Sequence, residues 1–542
     1  MADRYRREGY WTGAPLGEIA RAEARRDGSR AAIVSTRESV SYAELDNWAD
    51  AIGTGFRERG IGPGDRVIVQ LPNIPEFLAV ALALFRIGAI PVFALPAHRS
   101  AEISYLSEHA DAAAYVIPDV HQRFDYRDLA REVRRARPAL REVVVAGEPA
   151  EFTALAAFGR GGRPLAPAAV DPEGPALLLL SGGTTGLPKL IPRTHDDYAY
   201  QLRATAEAMR FGRDGVYLAA LPMAHNAALG CPGVLGALAA GGVVALAGNP
   251  SPDQIFPLAE RTGATLTTLM PSLLRLWADT AGLFGADLSG LVVEVGGAPL
   301  SAETADRVAG ALGCTLTRWF GMAEGPLIFT RLDDEPAVRL GTEGRPLSAA
   351  DELRVVDDQG QDVAPGEPGE LLVRGPTTLR GYYDNAEYNA RTFTRDGFLR
   401  TGDLVCRTAE GNLVVRGRAR DVINRGGEKI PAEEVETHLQ AHPEIDEAAV
   451  VGVPDLALGE KTCAFVVPAG GPPTLAGIKN FLTGAGLAEF KFPDRLRVVE
   501  TLPRTGAGKI DKNALKAAAG RRADQNPPAP GSAPASSPPS EA

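Results

Sequence analysis

Nine consecutive residues, Ser181-Gly182-Gly183-Thr184-Thr185-Gly186-Leu187-Pro188-Lys189, carry the densest chemical signal in the chain. Three glycines let backbone N–H groups converge on one anion. Ser181, Thr184 and Thr185 add hydroxyl donors, and Lys189 adds a positive charge. Such a stretch suits a polyphosphate. It is not a Walker A loop, because Pro188 stands where that motif places glycine directly before lysine. Taken alone, it also reads as a polar turn between two elements.

Further stretches add complementary groups. Trp319-Phe320-Gly321-Met322-Ala323-Glu324 sets aromatic rings, a tight turn and a carboxylate within six residues. A ring there can cover a purine, and the carboxylate can hold Mg²⁺ against phosphates; alone, the segment equally reads as a core strand ending in a turn. Asp403, in Thr401-Gly402-Asp403, can accept both hydroxyls of a ribose or simply cap a turn. Gly417-Arg418-Ala419-Arg420-Asp421 leads into Asn424-Arg425-Gly426-Gly427-Glu428-Lys429-Ile430. Lys509 follows a flexible Thr505-Gly506-Ala507-Gly508 loop where it can swing, although a lysine in a terminal loop is more often just solvated.

The elements that must position these groups are legible from periodicity. Ala176 to Leu180 reads as a buried strand leading into the glycine loop. Ser41 and Glu44 have capping-box spacing at a helix start. Asp65 to Leu71, Ile90 to Phe93, Ala114 to Ile117, Thr265 to Leu269 and Leu291 to Val295 read as strands, and Glu76 to Arg86 as an amphipathic helix. Strands alternating with helices imply parallel α/β packing. After about residue 350 short alternating strands, Glu352 to Val356, Glu370 to Arg374 and Asn412 to Arg416, predict a small β-rich subdomain. A compact α+β stretch follows from Asp421 to Lys516, and the Pro/Ser/Ala-rich end is expected to be disordered.

At 542 residues the chain needs more than one core. A net charge of -11 provides no footprint for nucleic acid and no polybasic patch for membrane. Cys231, Cys314, Cys406 and Cys463 are scattered without a CxxC pair, which fits a reducing, cytoplasmic setting and argues against a zinc site. The N-terminus has no apolar core of a signal peptide. The apolar run Phe77 to Leu95 contains Arg86 and Pro91, and an arginine at mid-membrane costs about 2.5 kcal/mol or more. A buried helix and strand is the better reading.

Together, and in this order, the stretches resemble the adenylate-forming superfamily of acyl- and aryl-CoA synthetases, peptide-synthetase adenylation domains and luciferases. The resemblance covers roughly residues 15–518. It implies α/β architecture with an N-terminal domain over residues 1–419, a mobile C-terminal domain over 420–520 and a tail over 521–542. It implies ATP and Mg²⁺, with acid attack on the α-phosphorus, release of pyrophosphate, then transfer to a thiol. Carried over position by position, Ser181, Gly182, Gly183, Thr184, Thr185 and Lys189 grip the phosphates, and Glu324 holds Mg²⁺. Gly296, Gly297, Ala298, Phe320, Gly321 and Met322 surround the adenine, with Asp403 and Arg418 on the ribose. Lys509 bridges the carboxylate and α-phosphate, Arg420 is the hinge, and Gly426 and Gly427 line a pantetheine channel.

A narrower resemblance lies in Pro192-Arg193-Thr194-His195, Ala224-His225-Asn226 and Phe320 to Gly325, which look like stand-alone aryl-acid-activating enzymes of siderophore and peptide-antibiotic pathways. Amino-acid activators carry an aspartate in this neighbourhood; here stands the neutral amide of Asn226. His225, Asn226, Ala227, Cys231, Gly296 and Leu327 then form the acid pocket. The cysteine–leucine pair at 231 and 327 resembles salicylate activators rather than dihydroxybenzoate activators. Ala227 departs from the family's usual Tyr or Phe, which opens space unless neighbours fill it, and admits a bicyclic acid such as 3-hydroxyquinaldate or quinoxaline-2-carboxylate. No carrier module of roughly 70–80 residues follows Lys516, so the resemblance implies a separate aryl carrier protein bearing the phosphopantetheine thiol. An aryl- or acyl-CoA synthetase using free CoA, and a non-catalytic nucleotide binder on the same fold, are the alternatives.

Overall fold

The computed structural model describes residues 1–520 except 163, 167, 181–188, 298–299, 419–421, 426–427, 456–457, 486, 488 and 506–507, with backbone alone at 101, 418, 422, 424, 428, 429, 431, 459 and 520. Two compact units emerge: Met1–Arg420 with Gly506–Lys509, and Asp421–Thr505 with Ile510–Ala542.

Two large sheets frame the first unit. In one, the strands Thr315–Gly321, Val292–Gly296, Leu266–Leu269, Val216–Ala219, Val243–Leu246 and Ala31–Ser35 run parallel, side by side in that order. In the other, Pro175–Leu180, Ile90–Phe93, Arg66–Val69, Ala112–Pro118 and Glu142–Ala146 run parallel, with Leu190–Thr194 antiparallel at the edge. Their Val/Ile/Leu runs are buried on both faces, as parallel sheets require. One continuous core joins the inner faces of both sheets to helices Tyr42–Glu58, Pro75–Ile87 and His195–Ala208. Separate outer cores seat helices Pro252–Thr262, Pro271–Phe284 and Ala302–Leu312 on the first sheet, and Ser100–His109 and Tyr126–Ala136 on the second.

The Ser41–Glu44 capping box opens helix Tyr42–Glu58 as its spacing predicts. Helix Pro75–Ile87 starts on Pro75 and stops at Gly88, whose φ of +73° is cheap only for glycine. The amphipathic reading of this helix is corrected: from Phe77 to Ile87 every residue is buried, because the helix is inside the shared core. Arg86 is buried there by pairing with Asp46 and Asp50, donating to Asp50 Oδ1 at 2.9 Å and to the Gly17 carbonyl at 3.0 Å. Among the described residues no helix is long and apolar enough to cross a membrane.

A four-stranded antiparallel sheet follows, Glu352–Val356, Gly369–Arg374, Leu399–Arg407 and Leu413–Arg418. The Thr401-Gly402-Asp403 stretch is part of a strand rather than a turn, although Gly402 has φ +70° and the ladder shifts register just beyond, between Leu404 and Val405. The second unit has its own sheet, centred on the Ile445–Asp455 and Gly459–Pro468 hairpin, covered by helices Ala432–Gln440, Leu475–Gly484 and Lys512–Gly520. The sequence-predicted tail lies outside the described residues.

Candidate active site

Residues 181–188 of the glycine loop lie outside the described residues, but both flanking strands are in place, with Leu180 opposite Leu190. Lys189 places its ammonium 4.4 Å from the centre of the Tyr388 ring. Tyr388 meets Tyr382 edge-on at 5.0 Å, and the Tyr382 hydroxyl donates to Glu324 Oε1 at 2.9 Å. The loop lysine and the carboxylate, 135 positions apart in sequence (324 minus 189), thus share one tyrosine pair.

Glu324 is held by its backbone as well. Its carbonyl accepts from Leu379 N at 2.8 Å, and the carbonyl of Ala323 accepts from Arg193 at 3.0 Å. Arg193 is fully buried and places three further donors on Asp197 Oδ1 (3.0 Å), Gln201 Oε1 (2.9 Å) and the Thr377 carbonyl (3.0 Å). A buried guanidinium is tolerable only with such saturation. Among the described residues no group of three or more His, Cys, Asp or Glu side chains could cage a metal. A lone carboxylate fits Mg²⁺, which completes its octahedron with phosphate oxygens and water.

Four of the residues expected to form the acid pocket, His225, Asn226, Ala227 and Cys231, lie on or at the ends of the short helix Asn226–Gly230. His225 caps it, its Nδ1 accepting from Ala227 N at 3.2 Å. That bond leaves the proton of the neutral ring on Nε2. Burial pushes the imidazole down to about 4, with repulsion from the Lys509 ammonium adding to the shift, so the ring is neutral at pH 7. Asn226 Oδ1 accepts from the Tyr198 hydroxyl at 2.9 Å, and its Nδ2 approaches Cys231 Sγ at 3.8 Å. Gln201 Nε2 donates to the Gly230 carbonyl at 2.8 Å and approaches the same sulfur at 3.6 Å. Burial holds the Cys231 thiol protonated.

Tyr198 was not among the sequence-predicted residues. Its phenol occupies the room left by Gly230, where a Cβ would fall 2.4 Å from the hydroxyl. The pairing of a buried tyrosine three positions after His195 with a glycine on another helix has no sequence signal. His195 itself stays outside the site: its Nδ1 accepts from Leu16 N at 3.1 Å, and burial lowers it to about 4. The expected opening at Ala227 is not exposed to water; Ala227 is 2% exposed and Leu327 1%, so neighbours close over both.

Gly296 ends a strand opposite Trp319, and a Cβ on it would strike the Trp319 indole at 2.6 Å. Gly297 has φ +77° against Met270. Phe320, Gly321 and Met322 follow at half-buried positions. Asp403 is buried and directly opposite Arg418 in the antiparallel ladder. Ala298, Arg420, Gly426 and Gly427 lie outside the described residues, as does the side chain of Arg418.

A half-buried carboxylate at Glu324 and a buried aspartate at 403 opposite Arg418 in the ladder match the groups that the sequence resemblance implies for a nucleotide site. The family model for AMP-binding enzymes matches residues 20–383, and that for their C-terminal domain matches residues 434–509. The chain belongs to the AMP-binding enzyme family. It is 52% identical to the 2,3-dihydroxybenzoate-AMP ligase of Bacillus subtilis (strain 168), over 96% of each chain. It is 46% identical to the 2-hydroxy-7-methoxy-5-methyl-1-naphthoate–CoA ligase of Streptomyces carzinostaticus, over 97% of this chain and 96% of the relative. The apo structure of MbtA from Mycobacterium smegmatis superposes with a TM-score of 0.75 at 47% identity, covering 95% of this chain and 97% of that one. This AMP-binding enzyme shares the mixed α/β architecture of that structure.

Proposed function

We propose that this enzyme activates an aromatic carboxylic acid as its adenylate and passes the acyl group to the phosphopantetheine thiol of a separate carrier protein. The observation that carries the acid class is Asn226: a buried neutral amide, fixed by Tyr198, beside a neutral histidine. Such a pair can hydrogen-bond a carboxylate or ortho-hydroxyl and offers no countercharge to an α-ammonium group. The dihydroxybenzoate and naphthoate ligases among its relatives support the reading, and the naphthoate ligase favours keeping a bicyclic acid in view.

In this mechanism a carboxylate oxygen of the acid forms a bond to the α-phosphorus of ATP while the bond from that phosphorus to the β-bridging oxygen breaks, releasing pyrophosphate. Lys189 and the glycine loop bind the leaving phosphates. Glu324 is the residue that would hold Mg²⁺, which would supply positive charge against those phosphates. Asp403 receives the ribose hydroxyls. The Nε2–H of His225 donates toward the charged oxygens without carrying a charge itself. The Lys509 ammonium stabilises negative charge as it moves from the carboxylate to the pyrophosphate. In the second step a thiolate attacks the acyl carbon and AMP departs.

The test is ATP–pyrophosphate exchange across salicylate, 2,3-dihydroxybenzoate, 3-hydroxyquinaldate, quinoxaline-2-carboxylate, a medium-chain fatty acid and phenylalanine. Exchange led by any aromatic acid supports the reading; exchange only with the fatty acid or phenylalanine defeats it. The naphthoate relative is a CoA ligase, which favours a second reading for the acceptor, free CoA. Thioester formation with CoA alone, at the rate seen with a carrier protein, would decide for that reading.

A further inference from the structure

The strand Val292–Gly296 is apolar except for Glu294, an acid that none of the roles above uses. Its carboxyl is fully buried. The parallel register sets it between Thr268 on one neighbouring strand and Thr317 on the other. Alternate residues of a strand share a face, so Glu294 shares the face of Gly296, and Thr317 that of Trp319. On this side of the sheet Tyr217 and Trp319 belong to the same core as Tyr198, Ala227 and Cys231. Glu294 therefore lies on the acid-pocket side, one side-chain step from Gly296.

The hydrogen bonds around it run in one direction. The Tyr217 hydroxyl donates to Thr268 Oγ1 at 3.1 Å, and Thr268 Oγ1 donates to Glu294 Oε2 at 2.8 Å. Oε2 is thus an acceptor. Burial, opposed only by the Thr268 bond, pushes the carboxyl up to about 8, which favours the protonated acid at neutral pH; with Oε2 accepting from Thr268, Oε1 is the oxygen left to carry the proton. Among the described residues Oε1 has no hydrogen-bond partner, and neither has the nearby Trp319 Nε1–H. Two buried donors facing an apolar core without acceptors are a costly arrangement for a purely structural patch.

We propose that Glu294 is a specificity-determining residue whose Oε1–H donates a hydrogen bond to an acceptor carried by the ring of the acid, a ring nitrogen or a hydroxyl oxygen on the ring. The proposal rests on the aryl-acid reading above and deepens it: the preferred substrate carries a heteroatom on the ring side that faces the sheet. The signal was present in the sequence, as one acid within the apolar run Leu291 to Val295 that ends at Gly296-Gly297.

The test compares kcat/KM in pyrophosphate exchange for quinoxaline-2-carboxylate, 3-hydroxy-2-naphthoate and 2-naphthoate, the last lacking a ring acceptor. The wild-type enzyme should prefer one of the first two over 2-naphthoate by about 10- to 100-fold, and which one leads tells nitrogen from oxygen. Glu294→Leu, or Glu294→Met should the first variant fail to fold, should bring that ratio close to one. Glu294→Gln, which keeps an N–H donor, should retain much of it. A wild-type ratio near one, or a ratio unchanged in the apolar variants, overturns the proposal. If no aromatic acid supports exchange in the wild type while a fatty acid does, the aryl-acid reading itself has failed.

Discussion

Replacing Tyr198 by Phe removes one hydroxyl and nothing else from the wall of the proposed acid pocket. That hydroxyl is the donor to Asn226 Oδ1 at 2.9 Å, and burial keeps it protonated far above its ordinary range. Its loss leaves a buried amide oxygen unpaired, which costs about 1–3 kcal/mol. The remaining tether of the amide, Nδ2 to Cys231 Sγ at 3.8 Å, is too weak to hold its orientation. If Asn226 meets the acid, the KM for the acid should rise about 5- to 150-fold, that cost expressed as an affinity ratio. The KM for ATP should stay within about twofold, because among the described residues the Tyr198 hydroxyl bonds to Asn226 and its ring faces Arg193, neither of them a nucleotide candidate. Pyrophosphate exchange at saturating ATP measures the first quantity and exchange at saturating acid the second. A double-mutant cycle with Asn226→Ala isolates the mechanism: once Asn226 is gone, Tyr198→Phe should cost little more. Fully additive effects, or equal rises in both KM values, would refute the idea that Tyr198 acts by orienting Asn226.

Lys509→Ala should greatly reduce adenylate formation while transfer from preformed aryl-adenylate survives; equal loss of both steps in single-turnover assays would remove Lys509 from the first. Ala227→Phe must displace the side chains now closed over Ala227, at about 1–3 kcal/mol of stability, and should favour monocyclic over bicyclic acids; an unchanged kcat/KM ratio would show that this position does not bound the ring. The folded-state value of Glu294, about 8, lies above its ordinary 4.5, so its contribution to stability is present below pH 4.5 and lost as pH rises toward 8. Glu294→Gln should therefore flatten the decline of Tm between pH 6.5 and 8 relative to wild type, and parallel Tm curves would show that the carboxyl is ionised in the native state. His225 has the opposite sign: its value of about 4 lies below the ordinary 6.5, so stability is lost as pH falls from 6.5 toward 4, and His225→Gln should lessen that acid-side loss of Tm.

The fold class was legible because the strands are long apolar runs and the helices between them carry caps and stops, as at Ser41 and Gly88. Helix Pro75–Ile87 shows where periodicity runs out. Its Glu76 and Arg86 suggested a polar face, yet the helix is in a core shared by two sheets, and Arg86 is neutralised by Asp46 and Asp50, 40 and 36 positions away. In the site, residues recognisable by motif, Glu324, His225, Asn226 and Asp403, could be named from the chain alone. Their partners could not, because Tyr198, Tyr382 and Tyr388 are ordinary aromatic residues in sequence and acquire meaning only through contact. Glu294 was readable in principle: an acid in a buried strand must find a partner, become neutral or serve a ligand.

Arg193 separates two kinds of change that this enzyme can undergo. With its guanidinium donors spread over Asp197, Gln201, Ala323 and Thr377, it rivets the helix that carries Tyr198 to the segment just before Glu324. Ala227 and Leu327 take no part in that joint, and Cys231 meets it only through the Gln201 amide, at 3.6 Å. Exchanging them re-furnishes the acid pocket while the chassis stays square, whereas an exchange at Arg193 would slacken both the acid pocket and the carboxylate at once. Retargeting this enzyme to a new acid is therefore a problem of a few interchangeable fittings bolted to a frame that should be left alone.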